Sequence, residues 1–189
     1  MNELLYTVGH SIHSIDRFVE LLQTHAIRLL ADVRRFPGSR RLPHFNQEAL
    51  AAELNRVGVE YRWFQELGGR RGRVNDDQLP LPRPDNTALR NDSFRNYADY
   101  MLTAEFAETI AQLRDKFQKS RSVIMCSEGL YWKCHRRLIS DFLQCQNVEI
   151  LHIMPDGKLR AHELTTGAVY TDGNLSYPSP PLQQQTELF

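Results

Sequence analysis

Five short β-rich runs alternate with amphipathic helical stretches along this chain, and that alternation constrains its fold more than any other feature. The runs are LLYTVGH (4–10), IRLLADVR (27–34), VEYRWF (59–64), SVIMCSE (122–128) and VEILHIM (148–154). After the first, SIDRFVELLQTHA sets Ile15, Phe18, Val19 and Leu22 at helical spacing behind Ser14, a capping residue. NQEALAAELNRVG starts at a capping Asn46, aligns Leu50, Leu54 and Val57 on one stripe and stops at Gly58. From Ser93 to about Phe117 an apolar stripe predicts one long helix or two, with Thr103 as the restarting cap. CHRRLISDFL (134–143) predicts another helix, with Leu138, Ile139, Phe142 and Leu143 facing inward. Strands alternating with helices imply a mostly parallel sheet covered on both faces, the doubly wound, three-layer α/β class of Rossmann-like and flavodoxin-like folds.

Two segments interrupt the pattern. Residues 68–86, GGRRGRVNDDQLPLPRPDN, are longer and richer in Gly and Pro than an ordinary connection and predict a mobile loop. Beyond Pro155, DGKLRAHELT predicts a small hairpin, and TDGNLSYPSPPLQQQ loses periodicity and reads as a linker. The expected organisation is a single α/β domain over 1–165, a flexible linker over 166–184 and a terminal peptide over 185–189.

The 189 residues carry 23 Lys plus Arg against 23 Asp plus Glu, so any basic surface must arise from local clustering. The opening MNELLYTVGH has no basic leader before an apolar run, and no stretch approaches the roughly 20 apolar residues of a membrane span. A cytoplasmic protein with no membrane partner is expected. Three cysteines, Cys126, Cys134 and Cys145, do not make a secreted disulfide framework and are read as thiols.

Ligands of open parallel sheets bind beyond the carboxyl ends of the strands, where loops and helix N-termini converge. Those ends here carry His10 and Ser11, then Asp32, Arg34 and Arg35, then Arg70 and Arg71, then Cys126, Ser127 and Glu128. Asp32 follows the apolar Leu-Leu-Ala and needs a cationic partner, for which Arg34 or His10 would serve. Arg34, Arg35, Arg40, Arg41, Arg70, Arg71 and Arg136 build a local basic rim. Guanidinium forks suit phosphate, so DNA or a nucleotide is the expected ligand. Phe36, Trp63, Phe64, Tyr131 and Trp132 interleave with the rim and either stack on bases or pack in the core.

Cys134 stands near a helix N-terminus beside His135, Arg136 and Arg137, surroundings that favour thiolate. A nucleophilic or redox Cys134, with His135 or Glu128 handling protons, is one reading, and a buried inert thiol is the other. His10 and Asp32 complete the candidate catalytic set. The C-x7-C-H spacing lacks the close pair of cysteines of zinc sites and would need a further ligand such as His10, so no metal is assigned and no cofactor is required. The position of the arginine in a Cys-x5-Arg phosphatase loop is occupied by Trp132.

TVGHS, LLADVRRFPGSRR, LGG, FRNYADYM and VIMCSEGLYWKCHRRLISDFL together resemble domain-of-unknown-function family 488, over about residues 5–165. The resemblance implies a compact α/β domain in which His10, Asp32, Arg34, Cys134, His135 and Arg136 occupy motif positions, and it supplies no reaction. Cys134-His135-Arg136 also resembles the Pro-Cys-His-Arg of alkylguanine-DNA alkyltransferases, with Lys133 in place of the proline.

The terminal QTELF resembles the Q-x-x-L-F peptides that dock into the bacterial sliding clamp, which implies that Gln185 hydrogen-bonds to the clamp, that Leu188 and Phe189 fill its apolar pocket and that the Pro/Ser/Gln-rich stretch before them is a tether. The expected function is a DNA-processing or DNA-repair factor recruited to that clamp, an enzyme rather than a non-catalytic adaptor. A thiol redox or metal-binding domain is the third reading.

Overall fold

The computed structural model describes residues 3–180. Five parallel strands, β1 (Glu3–Gly9), β2 (Leu29–Asp32), β3 (Glu60–Trp63), β4 (Ser122–Cys126) and β5 (Val148–Ile153), are joined at one edge by the antiparallel β6 (Leu159–Ala161) in the order β3-β2-β4-β1-β5-β6. The helices α1 (Ile15–Thr24) and α2 (Gln47–Arg56) cover one face, and α3 (Asp92–Tyr100), α4 (Ala104–Lys119) and α5 (Arg136–Cys145) the other. This is the expected three-layer α/β architecture.

Strand alternation sorts the core into two halves. Leu30, Val123 and Met125 join Phe18, Leu22, Leu50 and Leu54 under α1 and α2, whereas Ala31, Val33, Ile124 and Cys126 meet Tyr97, Phe106 and Leu138 under α3–α5. Cys126 therefore points toward the layer that holds α5. Ser14 caps α1 by accepting the Arg17 N–H at 3.3 Å, and Thr103 caps α4 by accepting the Phe106 N–H at 3.4 Å. The long stripe after Ser93 is thus two helices, broken at Met101–Thr103. Asn46 stands at the start of α2, but its side-chain oxygen accepts from the Ser39 N–H at 2.6 Å and ties down the β2–α2 loop instead.

The segment 68–86 is irregular yet anchored. Val74 and Leu79 are buried, and the Arg71 guanidinium lies 3.6 Å over the Tyr100 ring while donating to the carbonyls of Gly68 and Glu66. DGKLRAHELT, expected to form a hairpin by itself, supplies one strand, β6, which pairs antiparallel with β5 and sets Leu151 opposite Ala161. The expected linker over 166–184 is corrected for its first part: β7 (Val169–Thr171) and β8 (Asn174–Ser176) form a second hairpin, and Leu175 and Tyr177 are buried. Asp172 and Gly173, at φ 51° and 84°, supply the two left-handed residues of a tight hairpin turn, and the alternation of Leu175 with Tyr177 gives β8 and the residue after it an inner face. Residues 181–184, and Gln185, Leu188 and Phe189 of the terminal peptide, lie outside the described residues. No helix among the described residues is long and apolar enough to cross a membrane.

Candidate active site

The connections leaving β1 and β4 run to opposite sides of the sheet, so the carboxyl ends of these adjacent strands form its switch point. Backbone pairing continues past the strand ends: the His10 N–H donates to Cys126 C=O and the Ser11 N–H to Ser127 C=O, both at 3.0 Å. With the Val33 N–H donating to Met125 C=O at 2.9 Å, the ends of β1, β2 and β4 are held together beside a crevice of about 480 Å³. Gly9 is required for this approach, because a Cβ there would lie 1.9 Å from the Glu128 carbonyl oxygen.

The crevice brings together His10, Ser11, Arg34, Arg35, Arg70, Glu128, Cys134 and His135 of the expected set. It adds Lys133, so Arg34, Arg35, Arg70 and Lys133 line the crevice together with Glu128. The start of α3, at Asn91, Ser93 and Phe94, also lines it. These α3 residues and Lys133 escaped the sequence reading, although the polar N-cap at Asn91 was a local signal. Of the aromatics, the exposed Phe36 lines the crevice, Trp63 donates to the Arg34 C=O at 2.9 Å, and Tyr131 stacks on His152 at 3.5 Å.

Five expected site residues do not line the crevice. Asp32 is fully buried and accepts from the Arg34 backbone N–H at 3.0 Å, its guanidinium at 2.6 and 2.9 Å, and the Tyr61 hydroxyl at 2.7 Å. With both oxygens engaged it orients Arg34 and does not face the crevice. Arg34 Nη1 also donates to Phe45 C=O at 2.8 Å and to His10 Nε2 at 3.4 Å. Arg71 is committed to Tyr100, and Arg136 is 1 % exposed. Arg40 and Arg41 are exposed on the β2–α2 loop, and neither lines the crevice.

His10 donates through Nδ1 to Ser11 C=O at 3.0 Å and stacks on Phe45 at 4.2 Å. Burial, and next the Arg34 charge, lower its pKa to about 4, so it is a neutral imidazole at neutral pH.

The thiols occupy the wall formed by β4 and the start of α5. Cys134 Sγ lies 3.5 Å from His135 Nδ1 and accepts the Arg136 backbone N–H at 3.5 Å, and Cys126 Sγ lies 3.9 Å from the same Nδ1. His135 Nε2–H donates to Val33 C=O at 3.1 Å, which leaves the Nδ1 lone pair aimed at both sulfurs. Burial opposes charge on Cys134, but the Cys126 thiol, the Arg136 charge and the Arg136 N–H groups outweigh it and lower the Cys134 pKa. The same hydrogen bond, with burial, raises that of Cys126. Sγ, Sγ and Nδ1 lie within 4.8 Å of one another and are the metal-competent group among the described residues. A Cβ on Gly69 would fall 2.3 Å from His135 Nδ1, so a glycine is needed where the chain passes the ring.

A buried relay fixes Arg136 from behind. Arg136 Nη1 donates to Thr7 Oγ1 at 3.1 Å, Thr7 to His152 Nδ1 at 2.7 Å, His152 Nε2 to His162 Nδ1 at 2.9 Å, and His162 Nε2 to Asp141 Oδ1 at 2.8 Å. A guanidinium only donates and a carboxylate only accepts, so every hydrogen in the relay points from Arg136 to Asp141. Tyr177, from the C-terminal hairpin, closes it by donating to Asp141 Oδ2 at 2.9 Å.

The chain is a doubly wound α/β domain with a basic, thiol-bearing crevice at the switch point of its sheet. Residues 14–143 match the model of the family described as Domain of unknown function DUF488, and the chain belongs to that family. The matched span contains Asp32, Arg34, Cys126, Cys134, His135 and Arg136, while His10 and Ser11 precede it. No curated protein and no solved structure gave a match.

Proposed function

We propose that the crevice is the active site of an enzyme acting on nucleic acid or a nucleotide. Arg34, Arg35, Arg70 and Lys133 hold phosphate, and the Cys134–His135 group is the chemical centre. The observation that carries this reading is that four cationic residues, Arg34, Arg35, Arg70 and Lys133, line the same crevice as Cys134 and His135. Arg34 is pre-oriented for an anion by its pair with Asp32, and Phe36 lines the crevice with an exposed ring on which a base could stack. The test is processing of a panel of damaged DNA and nucleotide substrates by wild type and Cys134→Ser. Loss in the variant supports catalysis, and equal turnover by both removes Cys134 from the reaction.

Recruitment to the bacterial sliding clamp, in a DNA-repair setting, is supported by the sequence Gln185-Thr-Glu-Leu-Phe189 alone. Deleting residues 185–189 is expected to abolish binding to purified clamp without changing the melting temperature. Unchanged binding contradicts recruitment.

A further inference from the structure

Cys126 has no role in the proposed phosphate site, yet its sulfur completes a compact trio with Cys134 and His135. Tetrahedral zinc, with Zn–S near 2.3 Å and Zn–N near 2.0–2.1 Å, sets its S and N ligands about 3.5 Å apart and its two sulfurs about 3.8 Å apart. The observed Sγ···Nδ1 separations are 3.5 and 3.9 Å, and all three donor atoms fall within 4.8 Å. His135 is already in the tautomer a metal requires, because its Nε2–H is held by Val33 C=O and its Nδ1 lone pair faces the sulfurs. The donors are soft, which favours zinc over magnesium or calcium. All three residues also line the crevice, so a coordination position is left for water or a substrate atom, as in catalytic zinc sites with three protein ligands.

We propose that Cys126, Cys134 and His135 bind a thiophilic divalent cation, Zn2+ foremost, at the wall of the phosphate-binding crevice. Two thiolates cancel the charge of the ion, so the buried site is neutral when filled, and any proton that either thiol carries leaves to solvent on binding. The inference deepens the reading of the crevice as an active site and rests on that reading only for the chemistry that follows. Such a centre suits hydrolysis: the oxygen of water bonds to the electrophilic carbon or phosphorus of the substrate, and the leaving group departs with a proton relayed from that water by Glu128, which lines the same crevice.

The test is elemental analysis of full-length protein purified without chelators, followed by Co2+ substitution of the reduced chain. The expected result is one zinc per chain and, with cobalt, a thiolate-to-metal charge-transfer band with tetrahedral d–d bands. Cys126→Ser, Cys134→Ser and His135→Asn each lower zinc affinity by more than the roughly 100-fold that loss of an outer-shell partner costs, whereas Cys145→Ser, with its sulfur outside the trio, retains the metal. Folded wild-type protein that takes up neither zinc nor cobalt overturns the site, as does a native Cys126–Cys134 disulfide detected by mass. Because metal content is read without substrate, a zinc protein that binds no phosphate upholds the site and removes the nucleotide reading. Phosphate binding by a metal-free chain does the reverse.

Discussion

Arg34 and Asp32, two residues apart at the end of β2, close a buried ion pair in which the guanidinium and the backbone N–H of one residue both reach the carboxylate of the other. The pair turns a strand end into a rigid cation at the crevice. Removing one partner leaves a buried charge uncompensated, which costs about 3–5 kcal/mol. Asp32→Ala is therefore expected to lower the stability measured by urea denaturation by about that amount and to weaken phosphate binding. A loss below about 1 kcal/mol would mean that Arg34 finds another counter-charge.

Acid should destabilise the fold in a defined window. The folded-state pKa values of His10 and His152 lie at about 4 and about 2, lowered first by burial, against about 6.5 unfolded. The unfolded chain therefore binds protons first. Stability is complete above pH 6.5 and falls as pH drops toward 4, by about 3 kcal/mol per histidine at 1.36 kcal/mol per pKa unit. Urea midpoints across pH 4–7 check this, and His10→Asn should flatten the slope. Equal slopes in the two proteins would contradict the assignment.

Gly69 and Gly38 form an internal control. Alanine at Gly69 must displace the His135 ring, with an expected loss of about 1–3 kcal/mol, as for overpacked cores. A Cβ on Gly38 meets nothing within 4 Å, and Gly38→Ala should change stability by less than about 0.5 kcal/mol. Thermal denaturation of both variants makes the comparison.

Tyr177→Phe tests whether the C-terminal hairpin belongs to the domain. The substitution leaves Asp141 Oδ2 without its hydroxyl donor in a fully buried site, for an expected loss of about 1–3 kcal/mol. A neutral effect would return residues 166–180 to the role of a tether.

The layer architecture was legible because each strand is a short apolar run and each helix carries its own stripe and cap, as at Ser14 and Thr103. The convergence of His10, Arg34, Cys134 and His135 followed from topology, since strand ends of a parallel sheet share one rim. What stayed hidden was side-chain direction. Asp32, Arg71 and Arg136 are as polar as the crevice residues, and only tertiary partners such as Tyr100 and Thr7 turn the two arginines away. The pairing of Cys126 with His135 was hidden for the same reason, because it joins a strand end to a helix start across a loop. The second hairpin left no periodicity in the sequence because β7 and β8 are three residues each, and Asp172-Gly173 is the turn that pairs them.

The central claim, a phosphate-binding crevice, is tested most directly by the salt dependence of single-stranded oligonucleotide binding to wild type and to an Arg35→Gln/Arg70→Gln double variant. Wild type should bind with an affinity that falls linearly in log–log form. Each phosphate contact on a single strand contributes about 0.7 to the slope, so the double variant should bind more weakly with a slope smaller by about 1.4. No binding by wild type, or the same affinity and slope in both proteins, would contradict the account.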